Sequence, residues 1–579
     1  NGPMSKSFGL QYLRKLDDPF YPSLAALEIG IPDANGKVSY RPAKILSEST
    51  MRGARAIESP SVTDAFVLAR NESVNPPITR IAEISGKPEA EVRKVLVESG
   101  AGYEMPNGDF APADVYLSGN VRAKLREAKA AVEAGNKAVQ RNVDALQKVV
   151  PADIPYYKIE TQMGATWVPP SAYAEFVGHM LGIQDGIEVA FQSGAWKVDF
   201  PSAYNHRAEA NSGFGSVHVK FKRLVRAAIA NQTITVKGKD DDGHEFVMDE
   251  ETKEVNAKIA DMRLKFGEWL WSDPVRRTAL EAEYNEVRNA YADPKFDGSF
   301  LGFQGMALTL GRGPFNLREH QVNAIWRGLV TRKSLNAHEV GTGKTFTMGG
   351  IAVESRRYGI AKKPMLFAHN ANSKSVAHEI QMMYPAAKVL YVDNLSKENL
   401  KTRMMQIAND DWDVIVMPHS IIDRIGFKEE TLMAMAQEEL NDLQTSAEEA
   451  AAEDNVTITD EMWEDEEELN KLRSVTAKQL VKQRLKILST IHKLAQQASK
   501  EDSVAFEDMG VDMLLVDEAH EFKKPPIATK MKLKGLQTQT SNRSIALMFL
   551  TKYVRANNNG ANVHLFTGTP ITNTMTEVF

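Results

Sequence analysis

Between residue 315 and Phe579, short apolar runs alternate with longer stretches whose apolar residues recur at helical spacing. The runs are "MLFAH" (365–369), "KVLYV" (388–392), "DVIVM" (413–417), "DMLLVDE" (512–518) and "VHLFTG" (563–568). Runs that are apolar throughout belong to strands covered on both faces, and parallel strands need helical connections between them. The pattern predicts an α/β lobe, a parallel sheet with helices on both faces, over 311–427 and 508–579. Residues 428–507 break the rhythm. Leu432, Met435, Ala436, Leu440 and Leu443 form one helical stripe, and Ile487, Leu488, Ile491, Leu494 and Ala495 form another. Between them lies an acidic stretch with Glu448, Glu449, Glu453, Asp454, Asp460, Glu461 and Glu464 to Glu468. This predicts a helical hairpin inserted between two strands, its charges solvated.

Upstream, the pattern predicts mainly helical and mixed α+β domains after an N-terminal extension, residues 1–59. In 60–155, "ITRIAEISGKPEAEVRKVLVESG" (78–100) gives two short helices joined at Gly86, with Ala82 and Val92 where a helix-turn-helix wants a small and a packing residue. Asn107-Gly108 signals a hairpin, so the unit resembles a winged helix. One amphipathic helix is expected over 121–150. In the mixed domain 156–310, "GIEVAFQSGAWKVDF" and "QTITVKGKDDDGHEFVM" alternate like hairpins. Residues 250–291 return to helix, with Ile259, Met262, Phe266, Leu270 and Trp271 on one stripe.

Composition narrows this little. The 579 residues suggest several domains, and 43% hydrophobic with 25% charged residues is ordinary for a globular protein. The net charge of −6 means that any nucleic-acid surface must be local. With no cysteine, disulfides, thiol catalysis and cysteine-held metals are excluded. No run approaches membrane-spanning length.

Candidate chemistry begins with "AHEVGTGKTFTM" (337–348). Gly341, Thr342 and Gly343 let backbone N–H groups face phosphate oxygens. Lys344 reaches the terminal phosphates, and Thr345 can ligate Mg2+. The usual pattern has glycine where this chain has His338. "LLVDEAH" (514–520) ends a strand on two carboxylates: Asp517 to hold the magnesium and Glu518 to polarise water, with His520 after them. Sheets of this kind bind ligands at that edge.

"LFTGTPITN" (565–573) makes the set specific. Together these motifs resemble the first RecA-like lobe of superfamily-two helicases, especially the Swi/Snf-type translocases. That resemblance implies ATP and Mg2+ as cofactors and Lys344, Asp517, Glu518 and His520 as catalytic residues. "FNLREHQVNAIW" (315–326) resembles the adenine-reading motif, with Gln321 for the base edge. Thr567, Gly568 and Thr569 would couple hydrolysis to lobe movement. "PMLFAHNANSKSVAHEIQMMYP" (364–385) and "WDVIVMPHSII" (412–422) resemble segments that touch the nucleic-acid backbone, which implicates His369, Asn370, His419 and Ser420. Lys87, Arg93 and Lys94 of the winged-helix candidate are further DNA candidates, or else form the solvated face of a protein-docking wing. The implied partners are nucleic acid, double-stranded DNA in the Swi/Snf case, and a second RecA-like lobe. As the last motif stands just before Phe579, we expect half of a two-lobed engine.

"VYLSGNVRAKLREA" (115–128), "GATWVPPSAYAEF" (164–176) and "FGEWLWSDPVRRTALEAEYNEVRNAY" (266–291) resemble segments of very large phage and plasmid helicases, many fused to adenine methyltransferases and linked to antirestriction. That implies a mobile element working in the bacterial cytoplasm. "NPPI" (75–78) lacks the aromatic of the methyltransferase motif and reads better as a helix start, and the loops "SGFGS" (212–216) and "GFQG" (302–305) lack a preceding strand. The leading expectation is an ATP-dependent DNA helicase or translocase. The alternative is a nucleotide-binding scaffold without turnover.

Overall fold

The computed structural model describes residues 3–16, 18, 21–32, 38–47, 57, 60–183, 185–192, 194–201, 204, 215–239, 245–310, 313–393, 397–499, 504–523 and 540–571. These fall into two compact units, one of 1–103, 109–114 and 296–579, the other of 104–108 and 115–295.

The first unit is built on a six-stranded parallel sheet. Its strands in chain order are β1 (Lys333–Ala337), β2 (Pro364–Ala368), β3 (Val389–Tyr391), β4 (Val414–Pro418), β5 (Met513–Val516) and β6 (Val563–Thr567). In space they run β1-β6-β5-β2-β4-β3, every pair parallel. This is the α/β lobe the pattern predicted. Successive side chains of a strand face opposite ways, and both directions are buried here. Met365 and Phe367 join a core with Ile415, Met417, Leu514 and Val516. Leu366 and Ala368 join the opposite core with Val414, Val416, Met513 and Leu515.

The inserted hairpin completes the first core. Its long helices, Glu429–Glu453 and Val475–Ala498, pack on each other, burying Leu432, Ala436, Leu440, Leu443, Ile487, Ile491 and Leu494 in the core that covers the sheet. Gly426 stands at their root. A Cβ there would lie 2.5 Å from the backbone nitrogen of Ala498, so only glycine lets the two ends meet this closely.

Helices Glu319–Thr331, Lys344–Arg357 and Ser373–Met383 cover the opposite face. The upstream helices Val62–Glu72, Ile78–Ser85 and Glu89–Glu98, and the short hairpin Gly102–Glu104 with Phe110–Pro112, follow in the predicted order. Gly86 (φ 66°) and Gly108 (φ 88°) sit at the two expected turns. Their apolar faces join the same core: Phe66 meets Trp326 and Phe300 at ring distances of 5.9 and 5.6 Å. A buried polar clamp accompanies this packing. Asp64, which caps its own helix with Ser61, accepts from Arg357 Nη1 at 2.8 Å and Tyr358 Oη at 2.9 Å. Burial pushes the Asp64 carboxyl up, but the bonds from Arg357, Ser61 and Tyr358 outweigh it and hold it below its ordinary value.

In the second unit, helices Pro170–Leu181, Phe221–Ile229 and Asp249–Ser272 surround an aromatic core with Tyr173, Phe176 and Phe266. The hairpins Glu188–Gln192 with Ala195–Asp199 and Lys237–Lys239 with Glu245–Val247 are those expected. The single helix expected over 121–150 is broken, and the helical stretch 250–291 is more than one helix. Residues 121–150 form Val121–Glu133 and Gln140–Val149, parted at Gly135 (φ 100°). Residues 250–291 break at Asp273-Pro274, where Asp273 caps the following helix by accepting from Arg276 N at 2.7 Å. A glycine in the left-handed region and a proline without an N–H each end a helix, whatever the apolar period suggests.

Candidate nucleotide site

β1 delivers the loop 338–343 to the N-terminus of the helix Lys344–Arg357. Gly341 (φ 85°) and Gly343 (φ 81°) are both left-handed, so the glycines are there for their backbone freedom. A helix N-terminus behind such a loop favours anions. Lys344 Nζ lies 3.4 Å from the His338 carbonyl and 3.7 Å from Glu518 Oε1. His338 stands at the usual glycine position, its ring at 83° to His320 and 5.7 Å away, and burial holds it below its ordinary pKa. Thr345 is half-buried, one residue into the helix.

Gln321 is 4% exposed and fully engaged. Its amide donates to the carbonyls of Thr342 (3.0 Å) and Gly343 (3.3 Å), and its oxygen accepts from Arg318 N (2.8 Å). His320 also donates to Thr342 O at 3.0 Å. The structure thus brings the adenine-reading candidate onto the phosphate loop itself. His320 was missed, though it lies in the quoted motif beside Gln321.

β5 ends at Val516 and hands over Asp517 and Glu518. Asp517 is 8% exposed, and its Oδ1 is buried with no hydrogen-bond partner. Burial, then the adjacent Glu518 charge, pushes its carboxyl above the usual range, while Lys344 pulls the other way. An unpartnered buried carboxylate oxygen beside a phosphate loop fits a divalent cation, and an oxygen-only donor set with Thr345 suits magnesium. Glu518 is left-handed (φ 45°), uncommon for a residue with a Cβ. That turn aims its carboxylate at Lys344 and at His520 Nδ1, 3.2 Å away.

β6 closes the arrangement. Thr567 Oγ1 meets His520 Nδ1 at 3.1 Å and accepts from Thr569 N at 3.0 Å. A Cβ on Gly568 would approach Lys344 Nζ to 3.4 Å, so this turn passes directly over the lysine. Residues 572–573 of the quoted motif lie outside the described residues.

The DNA candidates divide. Asn370 Oδ1 accepts from Ser420 N at 3.0 Å, joining the ends of β2 and β4, and the side chain of His369 is 45% exposed. His419 is 1% exposed, so it cannot reach a backbone phosphate from where it stands. Its Nε2 donates to the Asp517 carbonyl at 3.0 Å and its Nδ1 meets Glu521 Oε2 at 3.2 Å. Burial lowers its pKa despite Glu521. Arg93 and Lys94 lie on the helix Glu89–Glu98 together with Glu89 and Glu98, and Lys87, in the turn before it, pairs with Glu91 at 3.1 Å. For the methyltransferase motif, the helix starts at Ile78, which is buried, and residues 212–214 of "SGFGS" lie outside the described residues.

Among known families, residues 326–579 match a model described as a probable helicase domain, and residues 162–290 match a domain of unknown function, DUF8437. No curated protein matches the chain. Among the described residues, no helix is long and apolar enough to cross a membrane. Residues 326–579 therefore carry a helicase-like domain, which implies a nucleic-acid partner.

Proposed function

We propose that the chain is an ATP-dependent helicase or translocase acting on double-stranded DNA, with 311–579 as the first of two RecA-like lobes that enclose ATP. The observation that carries this reading is the continuous line Lys344–Glu518–His520–Thr567, which joins phosphate loop, carboxylates and last strand. In it, the loop amides and Lys344 bind and orient the phosphates. Asp517 and Thr345 would hold magnesium, which supplies charge neutralisation at the phosphates. Glu518 orients the attacking water and takes its proton. His520 ties Glu518 to Thr567, so a change at the carboxylates reaches the 567–569 turn. A second lobe would add the cations that stabilise the charge of the transferred phosphoryl group. Support for a mobile-element origin comes from the upstream segments that resemble phage and plasmid helicases.

The test is ATP hydrolysis with and without duplex DNA, on the chain paired with a second RecA-like lobe. Glu518→Gln keeps ATP binding and lowers turnover at least about a hundredfold, as loss of a general base does. Wild-type turnover in that variant removes Glu518 from the role. One observation favours a second reading, a nucleotide-binding scaffold: Gln321 and Glu518 are both engaged by the loop and its lysine. ATP binding without DNA-stimulated hydrolysis in the wild type would select it.

A further inference from the structure

Glu521 has no place in the phosphate chemistry, yet it lies where three strand ends meet. It sits in the single 3-10 turn Ala519–Phe522 that follows the paired carboxylates, and its N–H donates to the Glu518 carbonyl at 3.0 Å. One carboxylate oxygen meets buried His419 at the end of β4 at 3.2 Å. The other lies 3.8 Å from His369, just beyond β2. His419 in turn donates to the backbone carbonyl of Asp517, and the next residue, Ser420, is joined to Asn370. Phe522 closes over His419 with its ring 4.9 Å away.

This connection runs from outside to inside. His369 is half-exposed at the sheet edge and can accept or lose a neighbour. His419 is sealed, and what it holds is the backbone of the residue whose side chain would carry the cation. We propose that Glu521 is a positioning residue that couples nucleic acid at the β2 and β4 ends to the placement of Asp517 and Glu518. The inference rests on the motor reading above. A backbone phosphate arriving at His369 and Asn370 competes with the Glu521 carboxylate for His369. Glu521 then shifts on His419, and the shift reaches the Asp517 backbone through the 3.0 Å bond. Coupling of this kind is reciprocal: DNA changes ATP affinity by the factor by which ATP changes DNA affinity.

The test is linkage measured by binding, which needs no turnover. A fluorescent ATP analogue with Mg2+ is titrated into the full chain, with and without a saturating short DNA duplex. In the wild type the two affinities differ by at least about fivefold. Glu521→Ala brings the ratio of the two affinities close to one. Glu521→Gln, which keeps the length and one acceptor oxygen, retains an intermediate ratio and guards against a folding defect in the alanine variant. A wild-type ratio in Glu521→Ala overturns the proposal, and so does a ratio of one in a wild type that binds both ligands. Those two results leave the motor reading standing. A wild type that binds no analogue removes the motor reading and this inference together.

Discussion

Burial sets Asp517, with one oxygen unpartnered, beside a second carboxylate. Because its folded pKa is raised, Asp517 contributes stability at pH below its ordinary pKa, and that contribution is lost as pH rises through the folded value. Burial and the Glu518 charge together disfavour the ionised form of Asp517. Asp517→Asn should raise the melting temperature of the nucleotide-free protein at pH 7 and abolish Mg2+-dependent ATP binding. The gain should shrink as pH falls toward 4. Thermal melts across pH check it, and a lower melting point at pH 7 would contradict the assignment. At this scale Gly341, Gly343, Lys344, Asp517 and Glu518 could be named from local motifs and Thr567 from the resemblance, and the structure brings them together. The left-handed Glu518, the His320 bond and the Glu521 bridge were not legible. They depend on strand ends that are close in space and far apart in sequence.

β2, β4 and β5 were legible as elements because each is buried on both faces and reads as an apolar run, and β3 and β6, half-buried at some positions, still showed as short runs. β1 did not. It is an edge strand, and its buried side chain is polar: Asn336 Nδ2 donates to Ser334 Oγ at 2.7 Å, and Ser334 Oγ meets His564 Nδ1 of β6 at 2.9 Å. Burial pushes His564 down to about 3, so it sits there neutral. A strand held by polar pairs gives no hydrophobic signal. The insertion was legible from its two stripes, but not the glycine that permits its root. Phe427 N reaches Leu494 O at 3.3 Å and Phe506 N reaches Gly426 O at 2.8 Å, leaving no room for a methyl group. Gly426→Ala should cost about 1–3 kcal/mol, the usual range for overpacking, read from urea unfolding. An unchanged midpoint would mean that the two ends separate freely.

At the scale of the whole molecule, the upstream helices are part of the helicase-like lobe's own packing. Arg357, which ends the helix after the phosphate loop, binds both Glu354 and Asp64, and Tyr384 donates to Glu354 at 2.9 Å. Asp64→Ala leaves Arg357 with one of its two carboxylates and removes a helix cap. We expect a loss near about 3 kcal/mol, the low end for breaking a buried pair. A change under about 0.5 kcal/mol would show that the clamp is incidental, since that is the range of surface substitutions. The apolar pattern did predict these helices and their hairpin, but a pattern shows that a face is buried without showing against what. The proposed motor depends first on the phosphate loop. Its most direct test is titration of a fluorescent ATP analogue into the full chain with Mg2+, comparing wild type with Lys344→Ala. Saturable, Mg2+-dependent binding should weaken about 10–100-fold in the variant, the value of a charge-assisted bond to phosphate. Equal affinity in the two proteins, or no binding by the wild type, would contradict it.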